Sequence, residues 1–114
     1  MAQIPVIPIS PPTAIVPVGA AAGGDQYYND GAHLLFVFND GVAPVAITRV
    51  AQTQPESPDT CPNDVVTCAA TSLTILPPLA PRRFNDATGN VHVTYPGGTS
   101  GDIRVVVIFA PLAR

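Results

Sequence analysis

The chain has 114 residues and a mass of 11.8 kDa; 46% of its residues are hydrophobic, only 11% are charged, and the net charge is −3. That length bounds it to one domain with a single modest core, and the hydrophobic share excludes a disordered chain. Lysine is absent and five arginines face eight carboxylates, so the basic excess that drives counterion release on nucleic acid is missing and no nucleic-acid partner is expected.

The charged fraction is far below the roughly 25% of an ordinary soluble chain. Either other subunits cover much of the surface, or Thr, Ser, Asn and Gln keep it soluble; the first is the favoured reading. Residues 1–24 form a distinct segment with prolines at positions 5, 8, 11, 12 and 17 and Ile4, Val6, Ile7, Ile9, Ile15 and Val16 between them. Proline at that density forbids helix and withholds ladder donors, which predicts an extended arm, polyproline-like or edge-strand. An apolar arm that cannot form its own core is expected to lie across a neighbour, or to cap its own domain as an edge strand. Ala20 to Gly24 reads as a hinge. The segment has no positive n-region and is not read as a signal peptide, and no apolar run reaches membrane-span length, so no membrane is expected.

Residues 25–114 read as the domain. Asn29-Asp30-Gly31 and Asn39-Asp40-Gly41 bracket the apolar run Leu34 to Phe38, and each triplet marks a backbone reversal. Between them the spacing predicts a strand over 32–38, with His33, Leu35 and Val37 on one face and Leu34, Phe36 and Phe38 on the other. A second strand over 44–50 is expected to pair with it as a hairpin. Residues 52–60 read as a polar loop and 71–76 as a short strand ended by Pro77-Pro78. An irregular crossing then leads to the Asn85 turn and an alternating strand over 91–95. Pro96-Gly97-Gly98 and Gly101 turn the chain into the strongest strand, 102–110. Closely spaced turns without helical periodicity predict an all-β fold, a small β-sandwich or β-barrel, jelly-roll-like.

Chemistry-bearing constellations are sparse. Cys61 and Cys68 are separated by six intervening residues, which is neither a redox Cys-x-x-Cys nor a zinc-knuckle spacing, and a disulfide pinning the loop is the expectation. His33 and His92 sit alone in strands, as satisfied or solvated residues. Asp30, Asp40 and Asp86 are turn residues, and no spaced Asp ladder points to calcium. No Ser or Cys nucleophile is placed beside a His and a carboxylate, and no Gly-rich phosphate loop occurs. The sequence therefore predicts neither catalysis, nor a metal site, nor a cofactor.

The stretches Asn29-Asp30-Gly31-Ala32-His33-Leu34-Leu35-Phe36-Val37-Phe38-Asn39-Asp40-Gly41 and Phe84-Asn85-Asp86-Ala87-Thr88-Gly89-Asn90-Val91-His92-Val93-Thr94-Tyr95 resemble a group of small tailed-phage virion proteins. In that group an Asn-Asp-Gly turn, a strand, a variable middle and a Pro-containing crossing precede an Asn-Asp turn, a Val/Thr strand and a final valine-rich strand. The crossing here is Leu76 to Arg83, and the likeness spans about residues 25–111. The group resembles capsid decoration (cement) proteins. The likeness implies a non-enzymatic subunit made in the host cytoplasm, bound to the major capsid protein on the outer shell of the virion, and often a homotrimer. The arm residues named above, with Arg82 and Arg83, are the expected contacts. A tail, neck or fibre-base subunit, or a secreted or surface binding module using the 52–68 loop, are the alternatives. The long arm and the Cys61–Cys68 loop depart from the group's pattern.

Overall fold

The computed structural model describes residues 2–8, 17–21, 23–52, 63–96 and 103–109. It is an all-β sandwich of two packed mixed sheets. In chain order the strands are β1 (Ala2–Gln3), β2 (Val6–Pro8), β3 (Val18–Gly19), β4 (Asp25–Tyr28), β5 (His33–Asn39), β6 (Val45–Val50), β7 (Asp64–Cys68), β8 (Ser72–Leu76), β9 (Asn90–Thr94) and β10 (Ile103–Phe109). One helical turn, α1 (Pro81–Phe84), precedes β9. Sheet A has the order β1-β4-β9-β6-β7. Sheet B has the order β2-β10-β5-β8, with β3 also paired to β10.

The period-2 pattern of β5 is realised as read. His33, Leu35 and Val37 are buried between the sheets, while Leu34, Phe36 and Phe38 on the outer side are half-buried. β10 lies between β5 and β2 and is apolar almost throughout, and Val106 and Ile108 are buried as well as the inward Ile103, Val105 and Val107. Tyr27, Ile47, Cys68, Val91 and Val93 face them from sheet A, and Leu76 and Phe84 complete the core.

The hairpin expected between the strands on either side of Asn39-Asp40-Gly41 does not form. β5 pairs with β10 and β8, whereas β6 pairs with β7 and β9 in the other sheet. The reason is the Asn39 side chain. It is 1% exposed, and its Nδ2 donates to the carbonyls of Ala43, Cys68 and Ala69 at 2.9, 3.3 and 3.2 Å. Its Oδ1 accepts from the Gly41 N–H at 2.9 Å. These bonds bend the chain across the sandwich instead of back along β5. Gly31 and Gly89 adopt φ of +100° and +87°, the left-handed region for which their turns use glycine, whereas Gly41 is buried and does not.

The described residues of the segment read as an arm are woven into both sheets. β1 runs parallel to β4, the Ile4 N–H donates to the Gln26 carbonyl at 2.8 Å, and β2 then runs parallel to β10. The chain thus leaves sheet A and enters sheet B within a few residues, lacing one side of the sandwich. Ile4, at the crossing, is 1% exposed. The residues read as a hinge are bonded too: the Ala20 N–H donates to Ile103 O, the Ala21 N–H to Asp25 Oδ2 and the Gly24 N–H to Ala21 O.

Candidate functional site

The two turn motifs that carry the resemblance meet in space. Asn29 is 2% exposed, and its Nδ2 donates to Asn85 Oδ1 at 2.9 Å and to the Leu79 carbonyl at 3.1 Å. Asn85 Nδ2 returns a bond to the Asn29 carbonyl at 2.6 Å. The Gly31 N–H donates to Asn29 Oδ1, and the Asn29 N–H donates to the Gly89 carbonyl. Each amide therefore satisfies main-chain groups that neither sheet ladder reaches, as buried polar groups require. Pro81, the first residue of α1, lies over Gly31 at a distance that would leave a Cβ in ordinary contact, so it is the φ of +100° and not crowding that calls for glycine there. Strand 33–39, the crossing and the 85–89 turn are clamped into one end of the sandwich.

Asp86 organises the second turn. Its Oδ1 accepts from Thr88 Oγ1 at 2.7 Å, from the Thr88 N–H at 2.8 Å and from the Asn90 N–H at 3.1 Å, while Oδ2 lies 2.6 Å from His92 Nε2. The Thr88 hydroxyl is the strongest of the influences that hold the Asp86 carboxyl well below the usual carboxylate range, joined by the Asn90 N–H and His92; partial burial works against them. The chain of side-chain bonds continues across the outer face of sheet A: Asn90 Nδ2 donates to Thr88 Oγ1, Gln3 Nε2 to Asn90 Oδ1 and Gln26 Nε2 to Gln3 Oε1. His92 is thus a half-exposed partner of a turn carboxylate. His33 is 2% exposed, packs edge-on to Tyr28, and has Nδ1 accepting from the Asp30 N–H at 3.3 Å. The two histidines lie in strands of different sheets.

The residues expected to make contacts separate into three groups. Ile4 is spent on the protein's own core and is not presented to a partner; a side chain at the point where a strand changes sheets faces inward from both. Val6 and Ile7 are half-buried on β2, at an edge of sheet B. Ile9, Ile15 and Val16 lie outside the described residues. Arg82 and Arg83 are exposed on α1, and the Arg83 carbonyl accepts from the Gln52 N–H at 2.7 Å. β2 follows the 107–109 end of β10, which faces His33, so Val6, Ile7 and the α1 arginines share the end that the asparagine clamp builds.

Cys68 carries a free thiol, so the disulfide expected to pin the loop is not formed at this residue; Cys61 lies outside the described residues. Cys68 is fully buried, and its Sγ lies 3.7 Å from the Val37 carbonyl across the core. Sequence reasoning also missed Arg49. Its side chain is 0% exposed yet charged, with Nε donating to Asp64 Oδ2 at 2.8 Å and Nη1 donating to the Pro77 carbonyl at 2.7 Å and to Tyr27 Oη at 3.3 Å. Nη2 lies 2.7 Å from Asp64 Oδ2 off the hydrogen-bonding direction, an ion-pair contact only. The guanidinium ties β6 of sheet A to the end of β8 in sheet B. The sequence offers only an arginine in an apolar strand as a signal, because its partners are remote.

Among the described residues no group of three or more His, Cys, Asp or Glu is placed to hold a metal ion, and no helix is long and apolar enough to cross a membrane. Comparison of the chain with protein families, with curated proteins and with solved structures finds no match. What stands on the residues alone is the class: a small all-β sandwich whose polar side chains serve mainly to fasten turns.

Proposed function

We propose that this chain is a non-enzymatic structural protein of a tailed-phage virion, a decoration subunit that binds the outer surface of the capsid shell and stiffens it. The observation that carries the reading is the asparagine clamp. The two phrases that resemble the phage group lie far apart in sequence, and the paired amides of Asn29 and Asn85 make them one structural unit. Their joint presence then has a physical reason, which supports the likeness as one of architecture rather than of isolated turns.

The remaining features suit the role. A shell under internal pressure is held by subunits that bridge several neighbours, and many weak contacts add up to tight attachment when the bridging body is rigid. The interlocked turns, the laced side and the buried Arg49 make a stiff body, and low surface charge suits a protein whose faces are covered in an assembly. The edge strand β2, with Val6 and Ile7, and the α1 arginines supply apolar and polar contacts at one end.

The reading is tested with purified empty shells of the virus whose genome carries this gene, prepared without the protein. Added full-length protein should co-sediment with the shells to a saturating ratio, appear on their outer surface in electron micrographs, and raise the temperature at which they break. Light scattering in solution should give a mass of three chains. Shells that neither bind the protein nor gain stability from it would overturn the proposal.

A further inference from the structure

The chain contains two Asp-Gly bonds, Asp30-Gly31 and Asp40-Gly41. Such a bond is chemically labile in an unfolded chain. Glycine has no side chain to shield its nitrogen and lets the backbone turn freely, so the nitrogen can reach the carboxyl carbon of the aspartate before it. The nitrogen bonds to that Cγ, and its proton leaves with the carboxyl hydroxyl as water, closing a five-membered succinimide. Water then adds to one of the two ring carbonyls. Opening at the α-carbonyl leaves the main chain running through the side-chain carbon, an isoaspartate with one extra main-chain atom; nothing is oxidised or reduced.

Water is at hand for both aspartates, whose side chains are 45% and 58% exposed. The folded protein instead occupies the attacking nitrogen. The Gly31 N–H donates to Asn29 Oδ1 at 3.0 Å, and the Gly41 N–H donates to Asn39 Oδ1 at 2.9 Å. Each asparagine is buried and itself pinned, Asn29 by Asn85 and the Leu79 carbonyl, Asn39 by the carbonyls of Ala43, Cys68 and Ala69. The carboxyls are engaged as well, Asp30 Oδ1 with the Ala32 N–H at 3.2 Å and Asp40 Oδ2 with Arg104 at 2.6 Å. Ring closure at either site therefore begins by breaking a bond that the fold holds. The third turn places Ala87, not glycine, after its aspartate, and there Asn85 Oδ1 accepts from Asn29 Nδ2 instead.

We propose that Asp30 and Asp40 are latent sites of isoaspartate formation, each kept unreactive in the folded protein by the buried asparagine that precedes it. The modification is then confined to chains that open. Refolding does not undo it. The extra atom at Asp40 shifts Gly41 away from Asn39 and from the Thr71 N–H that its carbonyl accepts, and at Asp30 it shifts Gly31 away from Asn29 in the clamp. A chain that stays open long enough is thereby marked and withdrawn from the folded pool, so its loss is governed by how often it opens. None of this depends on the decoration reading.

The test ages the full-length protein in warm neutral buffer beside the same protein unfolded in guanidinium chloride, and reads isoaspartate at each site by peptide mapping. Both sites should react in the unfolded sample and about tenfold or more slowly in the folded one, the scale set by breaking one hydrogen bond. Equal rates in the two samples would overturn the latency. Asn29→Ala and Asn39→Ala, compared where they keep the wild-type circular dichroism, separate the asparagines from general stability. Asn39→Ala should speed the reaction at Asp40 alone and Asn29→Ala at Asp30 alone; acceleration at both sites together, or at neither, would remove the asparagines from the account. Amide exchange in the wild type gives a reading that needs no variant: the Gly31 and Gly41 N–H groups should be protected, and exchange as fast as in the unfolded chain would overturn the proposal.

Discussion

At the scale of single residues, the turn triplets work through their asparagines, and the aspartates beside them divide in role. Asp40 faces solvent with Arg104, whereas Asp86 is drawn into its own turn by Thr88, Asn90 and His92. Because the folded protein holds Asp86 ionised below the range of an unfolded carboxylate, folding is favoured by this group above that range. The contribution is lost as acid takes the solution below about pH 4 and on through the lowered folded value. Urea unfolding measured from pH 7 to pH 2 should show that loss in wild type. Asp86→Asn should be less stable at pH 7 and its stability should change less over the acid range; an unaltered acid slope would remove Asp86 from the account. The turn chemistry was legible in the sequence, since Asn-Asp pairs with a following glycine read as reversals. The partners were not, because Asn29 to Asn85 and Asn39 to Cys68 join residues that no local pattern relates.

At the scale of elements, strands with a long apolar alternation were legible and short polar ones were not. β5 and β10 follow their sequence patterns nearly to the residue, while β4 (Asp25–Tyr28) and β7 (Asp64–Cys68) are short, open on an aspartate and lack a sustained apolar alternation. The β5–β6 connection misleads because Asn-Asp-Gly closes a hairpin as readily as an arch; the choice is made by carbonyls at Cys68 and Ala69, contributed by a later strand. The described part of the proline-dense segment was legible as extended backbone, but its partners, β4 and β10, were not. Its anchorage turns on Ile4, the one fully buried side chain among the described side chains of residues 2–7. Ile4→Ala should destabilise the protein by roughly 2–4 kcal/mol, the usual cost of emptying a core position, read as a shift in the denaturant midpoint. A shift below about 0.5 kcal/mol, typical of surface positions, would mean that the lacing contributes little.

For the whole molecule, the two sheets are held together by apolar packing and by a few interior polar fastenings. Within sheet A, Tyr95, just past β9, donates its hydroxyl to Asp25 of β4 at 2.5 Å, and burial first, then the Asp25 carboxylate, push the phenol well above its ordinary value. Burial also raises Tyr27, against the opposing influence of Arg49. Both phenols keep their protons in the folded state, so the stability they carry is present below about pH 10, where an unfolded tyrosine ionises. It is lost as the pH climbs beyond that toward the folded values. In an alkaline titration, tyrosinate absorbance from these two residues should rise together with loss of the near-ultraviolet circular dichroism. Ionisation of both with the folded signal intact would show that the interior opens locally instead.

The lacing of the sandwich has a consequence for how the chain is made. Val6 pairs with Val107, so the strand translated near the beginning finds its place only after the strand near the other end has been synthesised. At 5–20 residues per second on the ribosome, that wait is roughly 5–20 s. Until then an isoleucine-rich segment has no seat, and its prolines, lacking N–H groups, keep it from pairing freely with other nascent chains. The same prolines that mark the segment in the sequence thus guard it while the rest of the fold is still emerging.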